Sequence, residues 1–92
     1  MIHITRYNPE NDADFYIQSV GVNAGRVLDT PSANCFAVKV LDTDRINPKY
    51  FYYFMINAEP ILKSRARGTV IPFLRIEDIY QIVNRLANRS SQ

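Results

Sequence analysis

Residues 67–79 read RGTVIPFLRIEDI, a stretch that passes from a turn through an apolar run into an acidic helix start. Pro72 interrupts the apolar run, and proline is a poor strand residue because it has no N–H to donate to a sheet. Acidic side chains favour the positive end of a helix dipole. We therefore predict a turn at Gly68 and Thr69, an extended run that ends at Pro72, and a helix that begins at Ile76.

The sequence before this stretch predicts a helix over residues 48–58. Asn47 is a favourable N-cap, and Pro48 suits the first helical position, where its missing N–H costs nothing. Pro60 predicts a break just before it, and a further turn or two then ends at Gly68, a residue type that commonly follows a helix C-terminus. Five apolar residues share one helical stripe and are expected to face the core: Phe51, Phe54, Met55, Ala58 and Leu62.

The first half of the chain reads as short strands separated by turns. Ile2 and Ile4 alternate with polar residues, residues 15–22 and 26–29 are further strand candidates, and residues 35–41 form the clearest strand. In that strand, one face is expected to carry Phe36, Val38 and Val40, with Lys39 on the other.

The last element is predicted as a helix from Ile76 to Asn88, with residues 89–92 as a frayed tail. Its apolar stripe comprises Ile79, Tyr80, Val83, Leu86 and Ala87. The expected fold is therefore a single α+β domain over residues 1–92, with short, mostly antiparallel strands in the first half and two main helices in the second.

The composition is typical of one small globular domain. The chain has 92 residues, of which 47% are hydrophobic and 22% are charged. No apolar run approaches the ~18 residues of a membrane-spanning helix, and the first residues lack a secretory signal. The single cysteine, Cys35, excludes an internal disulfide and a cysteine-based metal cluster. We expect a cytoplasmic protein without a membrane partner, metal or cofactor.

Catalytic constellations are missing from the sequence. His3 is the single histidine and lies close to a terminus, where a rigid catalytic base is hard to hold. No Gly-rich phosphate loop follows a predicted strand, and Cys35 is expected to be a small buried residue of a strand. We therefore expect a protein that is not an enzyme.

Charge is unevenly distributed along the chain. The formal net charge is +2, but residues 1–44 carry three cationic and six anionic side chains, whereas residues 45–92 carry eight and three. Such a division indicates either a polyanion-binding face or attraction between an acidic and a basic half. Four cations are the candidate DNA-binding residues, either contacting phosphates or lying on a solvated helix end: Lys63, Arg65, Arg67 and Arg75.

Five of the eleven aromatic residues lie together in YFYYF at 50–54. Tyr52, Tyr53 and Ile56 point away from the predicted core stripe of the helix. They are either tyrosines of a sandwiched helix with hydroxyls in water or a surface that binds a protein partner or a second copy. We favour the partner surface.

Three segments, taken in order, resemble one known family: NCFAVKVL (34–41), INPKYFYYFM (46–55) and RGTVIPFLRIEDI (67–79). Together they resemble the distal part of the target recognition domain in the specificity subunit of type I restriction-modification systems. That family shows a strand, an INPKY-type helix, a basic segment, a Gly-Ser/Thr turn followed by proline, and an acidic helix start. The resemblance covers about residues 19–80, in the same order and at the same spacing.

The resemblance implies a non-enzymatic α+β domain that reads duplex DNA for separate methyltransferase and nuclease-translocase subunits. The matching positions are expected to be architectural: Pro48, Tyr50, Gly68, Thr69, Pro72, Ile76, Asp78 and Ile79. The chain departs from the family in two respects. A full recognition domain is longer, and YQIVNRLANRSSQ (80–92) stands where the family has a Pro-rich strand and a spacer helix.

Two functions are therefore expected from the sequence. The first is a DNA-recognition or DNA-binding module, favoured by the resemblance and the four cations. The second is a small structural or assembly protein, an oligomer or particle component that keeps this fold without reading DNA. The shortened architecture and the aromatic residues at 50–54 favour the second.

Overall fold

A computed structural model of the protein describes residues 2–68 and 70–90, and of residues 86–90 it describes the backbone. The elements in chain order are β1 (Ile2–Arg6), β2 (Phe15–Gln18), β3 (Val27–Leu28), β4 (Cys35–Val40), α1 (Pro48–Asn57), α2 (Glu59–Ser64) and α3 (Ile76–Ser90). The chain is a single α+β domain with an antiparallel sheet followed by helices, which confirms the predicted fold class.

The four strands form one sheet in the order β1–β4–β2–β3, and every pair is antiparallel. The central strand β4 places Val38 opposite Ile4 on one side and opposite Phe15 on the other. These three residues therefore share the sheet face that the helices cover, because side chains at paired positions of a sheet point to the same face. Lys39 lies on the opposite face and is half-buried, as the alternating pattern predicted.

The core lies between that sheet face and the helices. Its largest side chains, each less than 2% exposed, are Phe15, Ile17, Val38, Val40, Met55, Leu62 and Ile79. Burial of one such side chain contributes about 1.5–3 kcal/mol. The helical stripe predicted from the sequence is confirmed for Phe51, Met55, Ala58 and Leu62, while Phe54 is only partly buried at its margin.

The helix boundaries follow from local chemistry at each end. The Asn47 side chain accepts a hydrogen bond from the N–H of Lys49 at 2.9 Å, and Pro48 occupies the first turn of α1, as predicted. Because Pro60 cannot donate a hydrogen bond within a helix, α1 ends at Asn57 and α2 begins at Glu59.

The prediction that Gly68 terminates this helical segment was wrong. α2 ends at Ser64 and is capped by Arg65 in the right-handed helical conformation, so Gly68 lies beyond the helix. The prediction failed because glycine with a positive φ occurs in tight turns as well as at helix ends. Gly68 belongs to a turn, which is described below.

The last helix, α3, is longer than predicted, since it continues to Ser90. Its buried face comprises Ile79, Ile82 and Val83, whereas the side chains of Leu86 and Ala87, also predicted for this stripe, lie outside the described residues, as do residues 91–92 of the predicted tail. The N–H of Ile4, on the outer edge of β1, donates a hydrogen bond to the Tyr80 hydroxyl at 2.9 Å.

Candidate nucleic-acid interface

The segment that precedes α3 is bound to the chain that leaves β2. The N–H of Gly21 donates to the Pro72 carbonyl at 2.8 Å, and the N–H of Leu74 donates to the Ser19 carbonyl at 2.7 Å. The extended pairing therefore begins at Pro72, and the prediction that the extended run ends there was wrong. Proline is tolerated at the first position of a strand because only its carbonyl is needed there.

Arg67 and Phe73 are paired through their backbones and close a loop. The N–H of Arg67 donates to the Phe73 carbonyl at 2.8 Å, and the N–H of Phe73 donates to the Arg67 carbonyl at 2.6 Å. Gly68 has a φ of 110°, and a Cβ at this position would lie 2.6 Å from the Ile71 carbonyl oxygen. The turn predicted at Gly68 thus requires glycine, whereas Thr69 lies outside the described residues.

Asp78 connects this loop to α3. Its side chain is almost completely buried and accepts a hydrogen bond from the N–H of Arg75 at 3.2 Å. The same carboxylate accepts from Arg67 Nη2 at 3.3 Å. Asp78 therefore satisfies an N–H that the first turn of a helix leaves without a partner, which supports the architectural role that the sequence indicated for it.

The structure separates the four candidate cations into two groups. Asp78 accepts from the side chain of Arg67 and from the backbone N–H of Arg75, while Lys63 lies on α2 and Arg65 caps that helix. Lys63 forms an ion pair with Glu59 at 3.8 Å, one helical turn earlier. Arg65 and Arg75 form no ion pair with any side chain in the part of the chain that the structure describes.

A cleft of about 640 Å³ lies at the end of the sheet where β1 and β2 end and β4 begins. Polar residues that line it include Arg6, Tyr7, Asn34, Arg75 and Glu77. Arg6 is the residue that sequence reasoning missed, because only the folded sheet brings the end of β1 beside the start of α3. Two arginines and one glutamate give this cleft a cationic excess among its lining side chains.

The ion pairs do not match the acidic half of the chain with the basic half. Lys39 pairs with Asp12 and Asp14, Lys63 with Glu59, and Arg67 with Asp78, all within their own half. Of the ion pairs between described residues, only that of Arg45 with Asp42 crosses the division. Most of these charges are therefore paired within one half of the chain. Attraction between the two halves, one of the two explanations left open by the sequence, does not account for them.

The prediction that Tyr52, Tyr53 and Ile56 point away from the core was wrong for two of these three residues. Tyr52 and Ile56 are half-buried and pack against the core, and the Tyr52 ring lies 5.5 Å from the Phe15 ring. Tyr52 is partly buried because Phe15 of β2 packs against it, a contact that helix periodicity alone could not show. Tyr53 is exposed and packs on Tyr52, so it remains a candidate for a partner contact. Burial, and secondarily the negative charge of Asp29, raises the pKa of the Tyr52 phenol.

Tyr50, which matches the resembled family at the start of the helix, is 78% exposed. Its side chain therefore contributes little to the core, and its expected architectural role is not visible in its packing. Exposed aromatic residues of this kind are common in contact surfaces between proteins.

The remaining chemistry-bearing residues form no further site. Cys35 is buried in β4, as predicted, and its sulfur lies 3.4 Å from both the N and the O of Ser32. Within residues 2–68 and 70–90, no group of His, Cys, Asp and Glu side chains is placed to hold a metal ion. None of the helices described is both long and apolar enough to cross a bilayer.

Comparison with known proteins places this chain in a family. No curated protein and no solved structure matches the chain. A family model described as a family of unknown function, DUF6943, matches residues 4–92. Since this match spans nearly the entire chain, the protein belongs to the DUF6943 family.

Proposed function

We propose that this protein is a non-catalytic DNA-binding module that contacts duplex DNA at the cleft end of its sheet. The observation that carries the proposal is that Arg6 and Arg75 line one cleft and form no ion pair with any described side chain. Guanidinium groups bind phosphate with two parallel hydrogen bonds and stay charged at every physiological pH. A cytoplasmic location is part of the same proposal.

Two further features support this proposal. The Arg67 side chain is paired with Asp78, which also accepts from the backbone N–H of Arg75, and it remains 51% exposed, so a third cation lies on the segment that leads to the cleft. The ordered segments at 34–41, 46–55 and 67–79 resemble a DNA-reading domain of type I restriction-modification systems.

Fluorescence anisotropy with a short labelled duplex of mixed sequence, titrated at several salt concentrations, tests the proposal. Each phosphate contact releases condensed counterions, so the logarithm of the binding constant should fall with the logarithm of salt by about 0.9 per contact. We expect three or four contacts. Each of the two single variants, Arg6→Gln and Arg75→Gln, should reduce the slope by about one contact.

Arg45→Gln is the matched control for this experiment. Arg45 is 86% exposed and lines a different groove, together with Ile2 and Val83, at the opposite end of β1. This variant should leave the salt slope unchanged. Absence of duplex binding by the wild-type chain at about 50 mM salt and high micromolar protein would refute the proposed function.

A component of a protein assembly is the second candidate function. Tyr50 and Tyr53 are exposed on α1, and an apolar groove beside Tyr50 is lined by Ile2, Ile46 and Phe54, among others. Sedimentation velocity of the wild-type chain and a Tyr50→Ser/Tyr53→Ser variant tests this candidate. A monomer in both samples, with no protein captured from the native source, would reject it.

A further inference from the structure

Five exposed apolar side chains, here called the apolar patch, lie on two paired segments beside the cationic cleft. Its five members are Val20 (36% exposed), Val22 (90%), Val70 (88%), Ile71 (60%) and Phe73 (42%). They come from two segments that the fold brings together, since Val20 and Phe73 occupy opposed positions of an antiparallel bridge. Val20 and Phe73 also line the cleft, so patch and cleft are continuous.

The patch is built on a hydrogen-bonded support. Reciprocal hydrogen bonds between Arg67 and Phe73 close the loop, and Pro72 and Leu74 are bound to Gly21 and Ser19. A support of this kind lowers the entropy lost when apolar side chains are fixed on binding. The exposed Val70 and Ile71 are therefore presented to a partner from a scaffold that is already formed.

We propose that this apolar patch acts as a wedge that enters the base stack of duplex DNA while the neighbouring arginines bind the phosphates on either side. This inference rests on the proposed function and adds the mode of contact. Ile71, Pro72 and Phe73 are consecutive, and isoleucine, proline and phenylalanine are among the residue types that proteins insert between base pairs.

Charge complementarity favours DNA over the other partners that an apolar patch can bind. Arg67 adjoins the patch through its backbone pairing with Phe73, and Arg75 adjoins it in the cleft. Phosphates flank every base step of a duplex. Glu77 is the one acidic side chain that lines the cleft, while Asp78 is buried against Arg67.

A protein partner and a lipid surface fit the patch less well. A stable protein–protein interface needs about 20–30 residues on each side, far more than the five of the patch. Loops that enter a lipid surface favour tryptophan and tyrosine at the headgroup level, whereas this chain has no tryptophan and the patch contains no tyrosine.

The test uses the full chain and a duplex carrying the fluorescent base analogue 2-aminopurine, whose emission rises when it is unstacked. Wild-type protein should raise this emission, and a Val70→Ser/Ile71→Ser variant should not. The variant should bind roughly tenfold or more weakly, because the apolar contact is lost, yet keep the wild-type salt slope, since no phosphate contact is removed. Both positions are exposed, so circular dichroism should show an unchanged fold.

Leu41→Ser is the matched control, because Leu41 is 61% exposed but lies outside the patch. It should behave as wild type in every measurement. Duplex binding without a rise in emission, and without weakening in the double variant, would overturn the wedge and leave the proposed function standing. No duplex binding at all would refute both. The wedge would also be overturned if the double variant bound DNA normally but lost self-association. The same holds if it bound DNA normally but lost binding to phosphatidylserine-containing vesicles.

Discussion

At the scale of single residues, Asp78 connects two parts of the stretch 67–79. One buried carboxylate accepts hydrogen bonds from the side chain of Arg67 and the backbone of Arg75. It therefore fixes both the base of the exposed loop and the first turn of α3. A charge-assisted hydrogen bond is about twice as strong as a neutral one, so the identity of this residue matters beyond its size.

Asp78→Asn should destabilise the protein by about 1–3 kcal/mol, because it removes the charge that pairs with Arg67 and replaces one of the two accepting oxygens by an NH2 group, which cannot accept. Urea unfolding followed by circular dichroism measures this loss. Glu77→Gln is the matched control, since Glu77 is exposed in the same turn and should change stability by less than about 0.5 kcal/mol. Equal effects of the two substitutions would show that Asp78 has no such role.

We expect Tyr52 to make the protein less stable at alkaline pH. Burial raises the pKa of its phenol, with a further contribution from Asp29, whereas the unfolded chain retains the ordinary value of about 10. The folded state therefore holds this proton more tightly than the unfolded state. The stabilisation is fully present below pH ~10 and is lost as the pH rises through the higher folded pKa.

Thermal unfolding of wild type and Tyr52→Phe between neutral and strongly alkaline pH tests this dependence. The difference in stability between the two proteins should be constant up to about pH 10. Above that pH, wild type should lose stability relative to Tyr52→Phe. A difference that does not change with pH would contradict the assignment. Tyr16, whose pKa burial also raises, should show the same direction in a Tyr16→Phe variant.

At the scale of elements, local patterns predicted what local interactions control. The alternation in β4, the Asn47 cap of α1 and the break at Pro60 each depend on a few neighbouring residues, and all three are observed. Gly68 was wrongly assigned to a helix end, since its actual role depends on the close approach of the Ile71 carbonyl oxygen within the loop. A sequence shows that a glycine is available for positive φ but does not show which contact demands it.

Gly68→Ala should destabilise the protein more than Gly21→Ala, although both glycines have a positive φ. At Gly68, a new Cβ would also lie 2.6 Å from the Ile71 carbonyl oxygen, whereas at Gly21 it would meet nothing within 4 Å. We expect a loss of about 1–3 kcal/mol from backbone conformation alone at either position and an additional loss at Gly68. Urea unfolding of both variants measures this difference, and equal losses would contradict the close approach.

At the scale of the whole molecule, the fold class was predictable from the sequence but the candidate site was only partly so. Arg67 and Arg75 were identified because they lie within one conspicuous stretch. Arg6 was not, since it reaches the same cleft only when β1 is placed in the sheet. The same limit explains Tyr52, whose burial depends on Phe15 of a distant strand.

The hydrogen bond between the Ile4 N–H and the Tyr80 hydroxyl bears on whether the molecule stays dispersed in solution. β1 is one of the two edge strands of the sheet, and unpaired backbone groups on such a strand offer a template for edge-to-edge aggregation. Tyr80→Phe should cost about 1–3 kcal/mol and leave the Ile4 N–H available to a second chain. Light scattering at rising protein concentration should then show aggregates that wild type and the exposed-site control Tyr53→Phe do not form. A Tyr80→Phe protein as soluble as the control would mean that the edge is protected by other means. If aggregates form, one phenolic oxygen on α3 is what keeps the edge strands of neighbouring molecules from pairing.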